Sequence, residues 1–292
     1  MIMDETVKNQ NTEIDLLLEA IYLKYGYDFR SYAKASARRR VLQRLSKSRL
    51  GTVSEMIHHL LNDQQFFETL LLDLTVNVTD MFRDPSFFKA QREAVIPELR
   101  KRPSIKIWHA GCSSGEEVYS MAILLQEEGL YKNARIFATD ANEAVLKKAQ
   151  RGVYDGNRMK TYTRNYMRAG GLKSFSEYYT SRYGLVMMKN VLKENIVFSH
   201  HNLVTDGVFG EMDMILCRNV LIYFNRELQE RVFSLFWESL GPGGFLCLGA
   251  SETIRFSKHS DGFENTVENQ KIFRKKGVMI PEDRDYARKC SV

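Results

Sequence analysis

The chain contains little cysteine and no long apolar segment, and these two absences exclude several classes of protein. Its four cysteines form no C-x-x-C pair, which argues against a disulfide framework and a zinc site; they are Cys112, Cys217, Cys247 and Cys290. No run of 18 apolar residues occurs, so we expect no membrane insertion. The first residues are polar and lack the apolar core of a signal peptide. Reduced thiols in a cytoplasmic protein are the simplest interpretation.

Motifs for two common kinds of site are also missing. The G-x-G-x-x-G fingerprint of dinucleotide-binding proteins does not occur. The histidine pairs His58-His59 and His200-His201 are adjacent, and adjacent side chains do not converge on a metal as i, i+4 ligands do. We therefore expect no bound metal and no catalytic triad. The net charge of +6 permits an acidic partner without requiring nucleic acid.

What the chain does contain is a strand, a glycine turn and a helix in the order that begins the nucleotide site of a doubly wound α/β sheet. After a strand at residues 105–110, Gly111 and Gly115 let a ligand approach the backbone, because neither has a Cβ. The helix then opens on Glu116 and Glu117, which would repel a diphosphate but accept a cation. S-adenosylmethionine, with a sulfonium and no phosphate, fits. The same two glutamates are equally compatible with simple complementation of the helix dipole.

The hydrophobic pattern divides the 292 residues into a helical and an α/β part. Apolar residues recur at helical spacing through residues 12–75. A strand at 134–140 ends at Asp140, where a doubly wound fold places a carboxylate that holds ribose hydroxyls. We predict a helical domain over 1–80, a linker over 81–103, an α/β domain over 104–276 and a flexible tail over 277–292.

Residues 153–193 interrupt the α/β alternation and are rich in tyrosine, arginine and lysine. A connection of this length inside a compact domain needs a structure of its own. We predict a small inserted subdomain, partly helical, with a hairpin near residues 183–191. Beyond it we predict strands near residues 195–200, 212–219, 220–224, 245–249 and 271–274, and a helix over 227–240.

Two polar segments of the helical part are candidates for function. Residues 36–49 form a basic helix that would bury Val41, Leu42 and Leu45. Its outer face would carry Arg38, Arg39, Arg40, Arg44 and Lys47. This density of arginine favours docking to an acidic protein or nucleic acid, although a solvated face has the same pattern.

The second polar segment surrounds Asn77. Thr79, Asp80 and Arg83 follow Asn77 closely. Thr79 or Asp80 is a candidate cap for a short helix, and Pro85 suits the first turn of a later helix. The segment is therefore either a capped turn between domains or a polar cluster that faces a cofactor cleft.

Taken together, five motifs resemble those of the chemotaxis receptor methyltransferase family (CheR), which methylates glutamates of bacterial chemoreceptors with S-adenosylmethionine. In this chain they read TVNVTDMFR (75–83), WHAGCSSGEEVYS (108–120), FATD (137–140), HNL (201–203) and CRNVLIYF (217–224). The resemblance covers about residues 15–276. It implies a Rossmann-like S-adenosylmethionine-dependent methyltransferase sheet with an N-terminal all-helical domain and a small inserted subdomain.

The resemblance also implies a role for each matching residue. Asn77, Thr79 and Arg83 would face the cofactor from the helical side, with Arg83 near the methyl-transfer centre. Glu117 would bind the amino group, and Asp140 the ribose. The remaining cofactor-binding positions would be Gly111, Asn202, Leu203, Arg218 and Asn219.

At the methyl-transfer centre, Tyr223 would sit beside the transferred methyl. With Arg83 it would position the substrate carboxylate without exchanging protons, because a glutamate is already ionised at neutral pH. Receptor docking would fall to the basic helix, through Arg38, Arg39, Arg40 and Arg44. The partner would be the cytoplasmic domain of a chemoreceptor or receptor-like protein. We expect a monomer that binds no nucleic acid stably.

Two departures from the family pattern leave questions open. The glycine turn reads GCSSG where family members more often have an alanine-rich A-x-S-T-G, which is a conservative change. Residues 168–190 look longer than in the better-known members. Some relatives bind a receptor's tail peptide with this subdomain, so such tethering stays open here. So does a substrate outside flagellar chemotaxis.

Two other classes of function compete with this interpretation. A nucleic-acid methyltransferase would suit the basic helix, but Arg218-Asn219-Val220-Leu221 stands where amino-methylating enzymes have an Asn/Asp-Pro-Pro-aromatic motif. Cys217 likewise lacks the Pro-Cys or Thr-Cys context of cytosine-carbon enzymes. The second class is a cofactor-binding scaffold without activity, against which the intact acidic positions argue.

Overall fold

The computed structural model describes residues 2–75, 79–267 and 269–277, with side chains from residue 7 onwards. Its first part is helical, as predicted: α1 (Ile2–Tyr25), α2 (Lys34–Lys47), α3 (Val53–Asn62) and α4 (Gln64–Leu74). The side chain of Thr52 caps α3 and that of Asp63 caps α4 by accepting first-turn N–H groups. Apolar residues of all four helices form one separate core, in which the rings of Tyr25 and Phe67 stack 3.6 Å apart.

The segment predicted as a linker, residues 81–103, is part of the main core instead. It forms α5 (Pro85–Ala90), a π-helical turn (Gln91–Val95) and α6 (Ile96–Leu99). Its buried apolar residues belong to the same cluster as those of the sheet; they are Met81, Phe82, Phe87, Phe88, Val95, Ile96 and Leu99. The prediction of a linker was wrong because these helices are too short to show a clear period.

The start of α5 confirms the predicted position of Pro85 in a first helical turn, but not the predicted cap. No helix begins at Thr79 or Asp80. The residue before Pro85 is Asp84, which has φ 57 and makes no capping hydrogen bond with its side chain. Its carboxylate is therefore available for a contact elsewhere in the fold.

The described residues of the α/β part contain ten strands and four further helices. The strands are β1 (Ile105–Ala110), β2 (Ala134–Asp140), β3 (Val153–Asp155), β4 (Tyr179–Arg182), β5 (Leu185–Met188), β6 (Ile196–His200), β7 (Met212–Cys217), β8 (Leu240–Leu248), β9 (Phe263–Asn265) and β10 (Ile272–Lys275). The helices are α7 (Glu116–Glu127), α8 (Glu143–Arg151), α9 (Met159–Arg168) and α10 (Arg226–Ser239).

Seven of these strands form one mixed sheet in the order β6-β2-β1-β7-β8-β10-β9. Neighbours from β6 to β8 are parallel, and β10 pairs antiparallel with both β8 and β9. The strand order reverses between β1 and β7, which is the position where open α/β sheets bind ligands at the carboxyl ends of their strands. The predicted Rossmann-like fold is confirmed.

Residues 153–193 form their own structure, as predicted. Strands β3, β5 and β4 make a small antiparallel sheet beside α9. The hairpin turns at Tyr183 and Gly184, whose φ values of 51 and 74 suit a two-residue turn. It therefore lies slightly before the predicted residues 183–191. Glu127 at the end of α7 accepts hydrogen bonds from the hydroxyls of Tyr166 and Tyr178, which fixes the insertion to the main sheet.

Two smaller predictions near the end of the chain need correction, and one short strand was not predicted. β8 begins at Leu240, directly after α10, because the glycine-rich residues 241–244 continue the strand. β9 was not predicted, since three residues carry no clear alternation. Residues 221–223 form a short 3-10 turn and not a strand.

No helix of the described residues is both long and apolar enough to cross a membrane. The same residues contain no group of three or more histidine, cysteine, aspartate or glutamate side chains placed to hold a metal ion.

Candidate cofactor and methyl-transfer site

A cleft of about 1170 Å³, its open mouth included, lies at the carboxyl ends of β1, β2, β6 and β7. Tyr32, Leu74 and Thr75 of the helical part line it from the opposite side. Every described residue predicted for the cofactor or for methyl transfer lines this cleft: Thr79, Arg83, Gly111, Glu117, Asp140, Asn202, Leu203, Arg218, Asn219 and Tyr223. Asn77 lies outside the described residues. The structure thus brings these residues together, and their individual roles stay predictions.

The glycine turn after β1 needs glycine for steric reasons. Gly111 has φ 79, and a Cβ built on it would lie 2.7 Å from Cγ2 of Val220. The backbone N–H groups of Gly111 and Cys112 both donate to the carbonyl of Thr139, at 2.9 and 2.8 Å. The turn is therefore fixed to β2 on one side and presses on the loop after β7 on the other.

Asp140 ends β2 with its carboxyl group oriented by the backbone. One oxygen accepts from the N–H of Ser113 and the other from the N–H of Asn142, both at 2.9 Å. Burial raises the pKa of Asp140, and these hydrogen bonds act in the opposite direction. A carboxylate has about four lone-pair sites, so acceptor capacity remains for the ribose that Asp140 is predicted to bind.

Glu117 is the fixed negative charge of the cleft. Its carboxylate accepts from Nδ1 of His109 at 3.1 Å and from Arg218 at 2.7 Å. Burial alone raises the pKa of Glu117, but Arg218 and then His109 outweigh it and lower the pKa to about 2. The group is ionised at neutral pH. A negative charge at the first turn of α7 suits the ammonium of S-adenosylmethionine and opposes a phosphate.

The neighbouring Glu116 faces away from the cleft. It is completely buried and accepts a hydrogen bond from the hydroxyl of Ser114 at 2.6 Å. Burial raises the pKa of Glu116. Arg158 of the inserted subdomain lies 3.6 Å from it. Of the two glutamates that the sequence presented as a pair, only Glu117 lines the site.

Arg218 holds the carboxylate of Glu117 in place. Its guanidinium pairs with Glu117 and with Asp84, both at 2.7 Å, and its central carbon lies 4.0 Å from the ring centroid of Phe87. The side chain is only 2% exposed. Asp84 can reach Arg218 because its left-handed backbone turns the chain before α5. Two carboxylates therefore pair with the guanidinium, and they neutralise its positive charge within the protein.

Methyl transfer is predicted at Arg83 and Tyr223, and we call these two residues, together with Arg40, the reacting end of the cleft. Arg83 and Tyr223 line it directly. Arg40 of α2 lies behind the ring of Tyr223, with 4.2 Å between the guanidinium carbon and the ring centroid, and donates to the carbonyl of Leu74. Two of its nitrogens, Nε and Nη2, are buried and have no hydrogen-bond partner among the described residues. Arg40 thus places a buried cation directly behind Tyr223, the residue predicted to sit beside the transferred methyl.

This position of Arg40 corrects the prediction that it lies on the outer face of α2. Arg40 is 3% exposed because α2 packs against the β7 loop, a contact that helical periodicity alone does not reveal. Arg38 and Arg44 are partly buried as well. Arg38 donates to Gln10 and Asn11, and Arg44 pairs with Asp73. Of the cations predicted for the outer face, Arg39 and Lys47 are exposed, and Lys47 lies 3.8 Å from the carboxylate of Asp73.

The helical part is joined to Tyr223 by backbone hydrogen bonds too. The N–H of Ala33 donates to the carbonyl of Tyr223 at 2.8 Å, and the N–H of Asn225 donates to the carbonyl of Ser31 at 2.9 Å. The ring of Tyr32 lies 5.1 Å from that of Phe224. The segment between α1 and α2 is therefore part of the cleft wall.

Sequence reasoning assigned no role to several residues of this site and its surroundings, including four that shape it. Tyr32 and His201 line the cleft, Arg158 donates to the carbonyl of Thr79 at 2.8 Å, and Glu252 binds the backbone of the β7 loop. Each acts on residues far away in the sequence or closes a wall from another domain. His201 stands in the HNL motif but had no role assigned to it, no local pattern marks Tyr32 or Arg158, and Glu252 is visible only as an acid shortly after a buried strand.

The fold and the acid-lined cleft define a methyltransferase that uses S-adenosylmethionine. Residues 77–272 match the sequence model of the CheR methyltransferase, SAM binding domain, and residues 12–75 match that of the CheR methyltransferase, all-alpha domain. The chain belongs to the CheR methyltransferase family, and its cofactor is S-adenosylmethionine. The predicted family resemblance is confirmed.

Individual relatives agree with the family models. The chain is 52% identical over 268 residues to a Pseudomonas putida protein named "Putative methyltransferase Cher3", covering 92% of this chain and 98% of that protein. It is 32% identical over 231 residues to a chemotaxis protein methyltransferase of Listeria monocytogenes, covering 78% and 85%. It is 33% identical over 232 residues to one of Vibrio parahaemolyticus, covering 74% and 80%. The similarity thus extends over both parts of the chain.

Proposed function

We propose that this chain transfers the methyl group of S-adenosylmethionine to glutamate side chains of bacterial chemoreceptors, forming glutamyl methyl esters and S-adenosylhomocysteine. The same chemistry on a receptor-like protein of another signalling pathway is the closest variant. The observation that carries the proposal is the reacting end, where Arg83 and Arg40 accompany Tyr223. Two cations favour an anionic acceptor. Relatives named chemotaxis protein methyltransferases support the receptor as its source.

The chemistry requires little of the protein beyond alignment. The cofactor supplies an electrophilic methyl on a sulfonium. A glutamate carboxylate has an ordinary pKa of about 4.3 and is ionised at neutral pH, so no general base is needed. Holding two reactants in line contributes about 7–11 kcal/mol to lowering the barrier. Catalysis in this cleft is therefore a matter of position and of exclusion of water.

Each end of the cleft has its part in that alignment. Glu117 binds the amino group of the cofactor and Asp140 its ribose, while Gly111 leaves room for close approach. Arg83 and Tyr223 hold the acceptor carboxylate. The remaining lining residues shape the walls of the cofactor pocket: Thr79, Asn202, Leu203, Arg218 and Asn219.

Arg40 supports the reacting end from the helical side. A cation against an aromatic face contributes about 2 kcal/mol when it is desolvated, so Arg40 holds the ring of Tyr223 in place. The two nitrogens of Arg40 that have no hydrogen-bond partner among the described residues add positive potential where the acceptor carboxylate would enter. Its role is thus closer to catalysis than to surface docking.

Docking falls to the exposed part of α2 in the helical domain, residues 1–80. Arg39 and Lys47 are accessible there to an acidic receptor surface. Arg38 and Arg44 are less available, because they are partly buried as well as paired within the chain. The enzyme works as a cytoplasmic monomer beside the receptor and binds no nucleic acid stably.

The test is transfer of labelled methyl from S-adenosylmethionine to a panel of receptor cytoplasmic domains, with nucleic acid as a parallel acceptor. Base-labile label on glutamates of a receptor domain, located by mass spectrometry, is the expected result. The matched control is each receptor domain with its labelled glutamates changed to alanine. Label on nucleic acid alone, or base-stable label on protein, would contradict the proposal.

A further inference from the structure

The loop after β7, residues 218–224, forms a large part of the cleft wall and needs a support that its own sequence does not provide. It carries Arg218, Asn219 and Tyr223 into the cleft. Asn219 has φ 62, a left-handed conformation that costs a non-glycine residue energy and persists only where the surroundings enforce it. A contact with another part of the chain must therefore hold Asn219 in this backbone conformation.

The carboxylate of Glu252, which follows β8, receives the backbone of this loop. One oxygen accepts from the N–H groups of Val220 at 2.9 Å and Leu221 at 2.8 Å. The other accepts from the N–H groups of Asn219 at 3.0 Å and Gly249 at 2.6 Å. Three consecutive N–H groups converging on one anion fix the path of the backbone more tightly than single contacts would.

Glu252 is committed to this task by its burial. The residue is 4% exposed. Burial raises the pKa of Glu252, and the four N–H donors act against that rise. A buried acceptor of four backbone bonds has no capacity left for substrate. Its function is therefore within the protein.

The strand side of the same contact is closed by Gly249. A Cβ at this position would lie 2.8 Å from a carboxylate oxygen of Glu252 and 2.9 Å from the backbone nitrogen of Asn219. A side chain there would force the carboxylate and the loop apart. The loop, Glu252 and the end of β8 thus form one closely fitted unit.

We propose that Glu252 is a positioning residue for methyl transfer. It fixes residues 219–221 and thereby sets the direction of Tyr223 and the wall of the cofactor pocket. The catalytic part of this inference rests on the proposed function, whereas its effect on the loop and on cofactor affinity does not depend on the methyl acceptor. A displacement of about 1 Å at such a site lowers turnover by on the order of 10²-fold.

The test is Glu252→Gln in the full chain. Glutamine has the same size but offers one amide donor in place of an oxygen, so two of the four N–H groups lose their acceptor. We expect kcat to fall by on the order of 10²-fold. Affinity for S-adenosylhomocysteine, measured by calorimetry, should fall several-fold. Hydrogen exchange of the amides of Asn219, Val220 and Leu221 should become faster.

Asp213→Asn is the matched control. Asp213 accepts the N–H of Lys106 at 2.7 Å and pairs with Arg102, but it lies near the start of β7, at the opposite edge of the sheet. Its variant should leave kcat and cofactor affinity unchanged even if the melting temperature falls. This separates a loss of position from a general loss of stability.

A folded Glu252→Gln variant with wild-type kcat and cofactor affinity would overturn the proposal. If that variant does not fold, Gly249→Ala presses on the same hydrogen bonds from the strand and should give the same losses. Hydrogen exchange of the wild-type protein is an independent test. Unprotected amides at residues 219–221 would overturn the proposal, and slow exchange of these amides would support it. If the wild type forms no glutamyl ester, the proposed function fails, while affinity and exchange still test the role of Glu252.

Discussion

The two ends of the cleft are built in different ways. The cofactor end, consisting of Gly111, Glu117 and Asp140, comes from one continuous strand-turn-helix-strand segment. The reacting end combines Arg83 from the chain before α5, Tyr223 from the β7 loop and Arg40 from the helical domain. Long-range contacts hold these three segments together, including the bond from Ala33 to the carbonyl of Tyr223.

Because the two ends are built differently, we expect cofactor binding and alignment of the acceptor to be affected by different substitutions. The cofactor end is fixed by local backbone geometry and by one ionised carboxylate, so its variants should change affinity. The reacting end depends on how two domains meet, so its variants should change turnover. The variants below test this difference between the two ends, in order of decreasing effect.

The largest effect is expected from Glu117→Gln. The amide keeps the size but loses the charge that we propose binds the ammonium of the cofactor, and a hydrogen bond to a charged group is worth about 1.5–3 kcal/mol. Affinity for S-adenosylhomocysteine, measured by calorimetry, should fall by about 10- to 10²-fold. Glu116→Gln is the control, because that neighbour faces away from the cleft. Equal losses in both variants would contradict a specific role for Glu117.

Gly111→Ala should have the next largest effect. A left-handed alanine costs about 1–2 kcal/mol, and its Cβ would also press on Val220, which Glu252 holds by its N–H group. We expect cofactor affinity to fall about tenfold, the equivalent of 1.4 kcal/mol. Gly129→Ala is a close control, since Gly129 has φ 71 but open space around a Cβ. If Gly129→Ala lost as much affinity, backbone strain alone would explain the result.

Tyr223→Phe should lower turnover by about tenfold, because a positioned hydroxyl contributes about 0.5–1.5 kcal/mol in hydrogen bonding. The ring and its contact with Arg40 remain, so cofactor affinity should not change. Steady-state kinetics with a receptor domain provides the measurement. Tyr183→Phe at the exposed hairpin tip serves as the control. Full turnover in Tyr223→Phe would show that the hydroxyl does not position the acceptor.

The smallest effect concerns acid. The pKa of Glu117 is about 2 in the folded protein and about 4.3 in an unfolded chain, so folding favours the ionised form. Its contribution to the free energy of unfolding is fully present above pH 5 and is lost as the pH falls towards about 2. In urea unfolding, the difference between wild type and Glu117→Gln should therefore shrink between pH 5 and pH 3. A constant difference would contradict the lowered pKa.

The same contrast explains how much could be predicted from the sequence. The positions of Gly111 and Asp140 followed from spacing within one segment, because a strand, a turn and a helix are local structures. Arg83 belonged to the polar segment around Asn77 that local reasoning had singled out, whereas the role of Tyr223 came from the family resemblance alone. Arg40 was placed on the outer face of α2, since periodicity shows only that a face exists and not which domain covers it.

The parts that could not be predicted depend on tertiary contacts. Glu252 contacts residues about thirty positions before it, and nothing in its own neighbourhood shows this. The sequence pattern of residues 81–103 predicts a linker because the helices there are short and interrupted by a π-helical turn. In both cases the information lies in which distant segments pack together.

We expect the cofactor end to determine the affinity for the cofactor and the reacting end to determine the alignment of the acceptor. Measuring both the affinity for S-adenosylhomocysteine and kcat for Glu117→Gln and Tyr223→Phe tests this claim most directly. The account predicts weaker cofactor binding for Glu117→Gln, and a lower kcat with wild-type cofactor binding for Tyr223→Phe. If both variants changed the two quantities by the same factors, the two ends would act as one unit and the claim would be wrong.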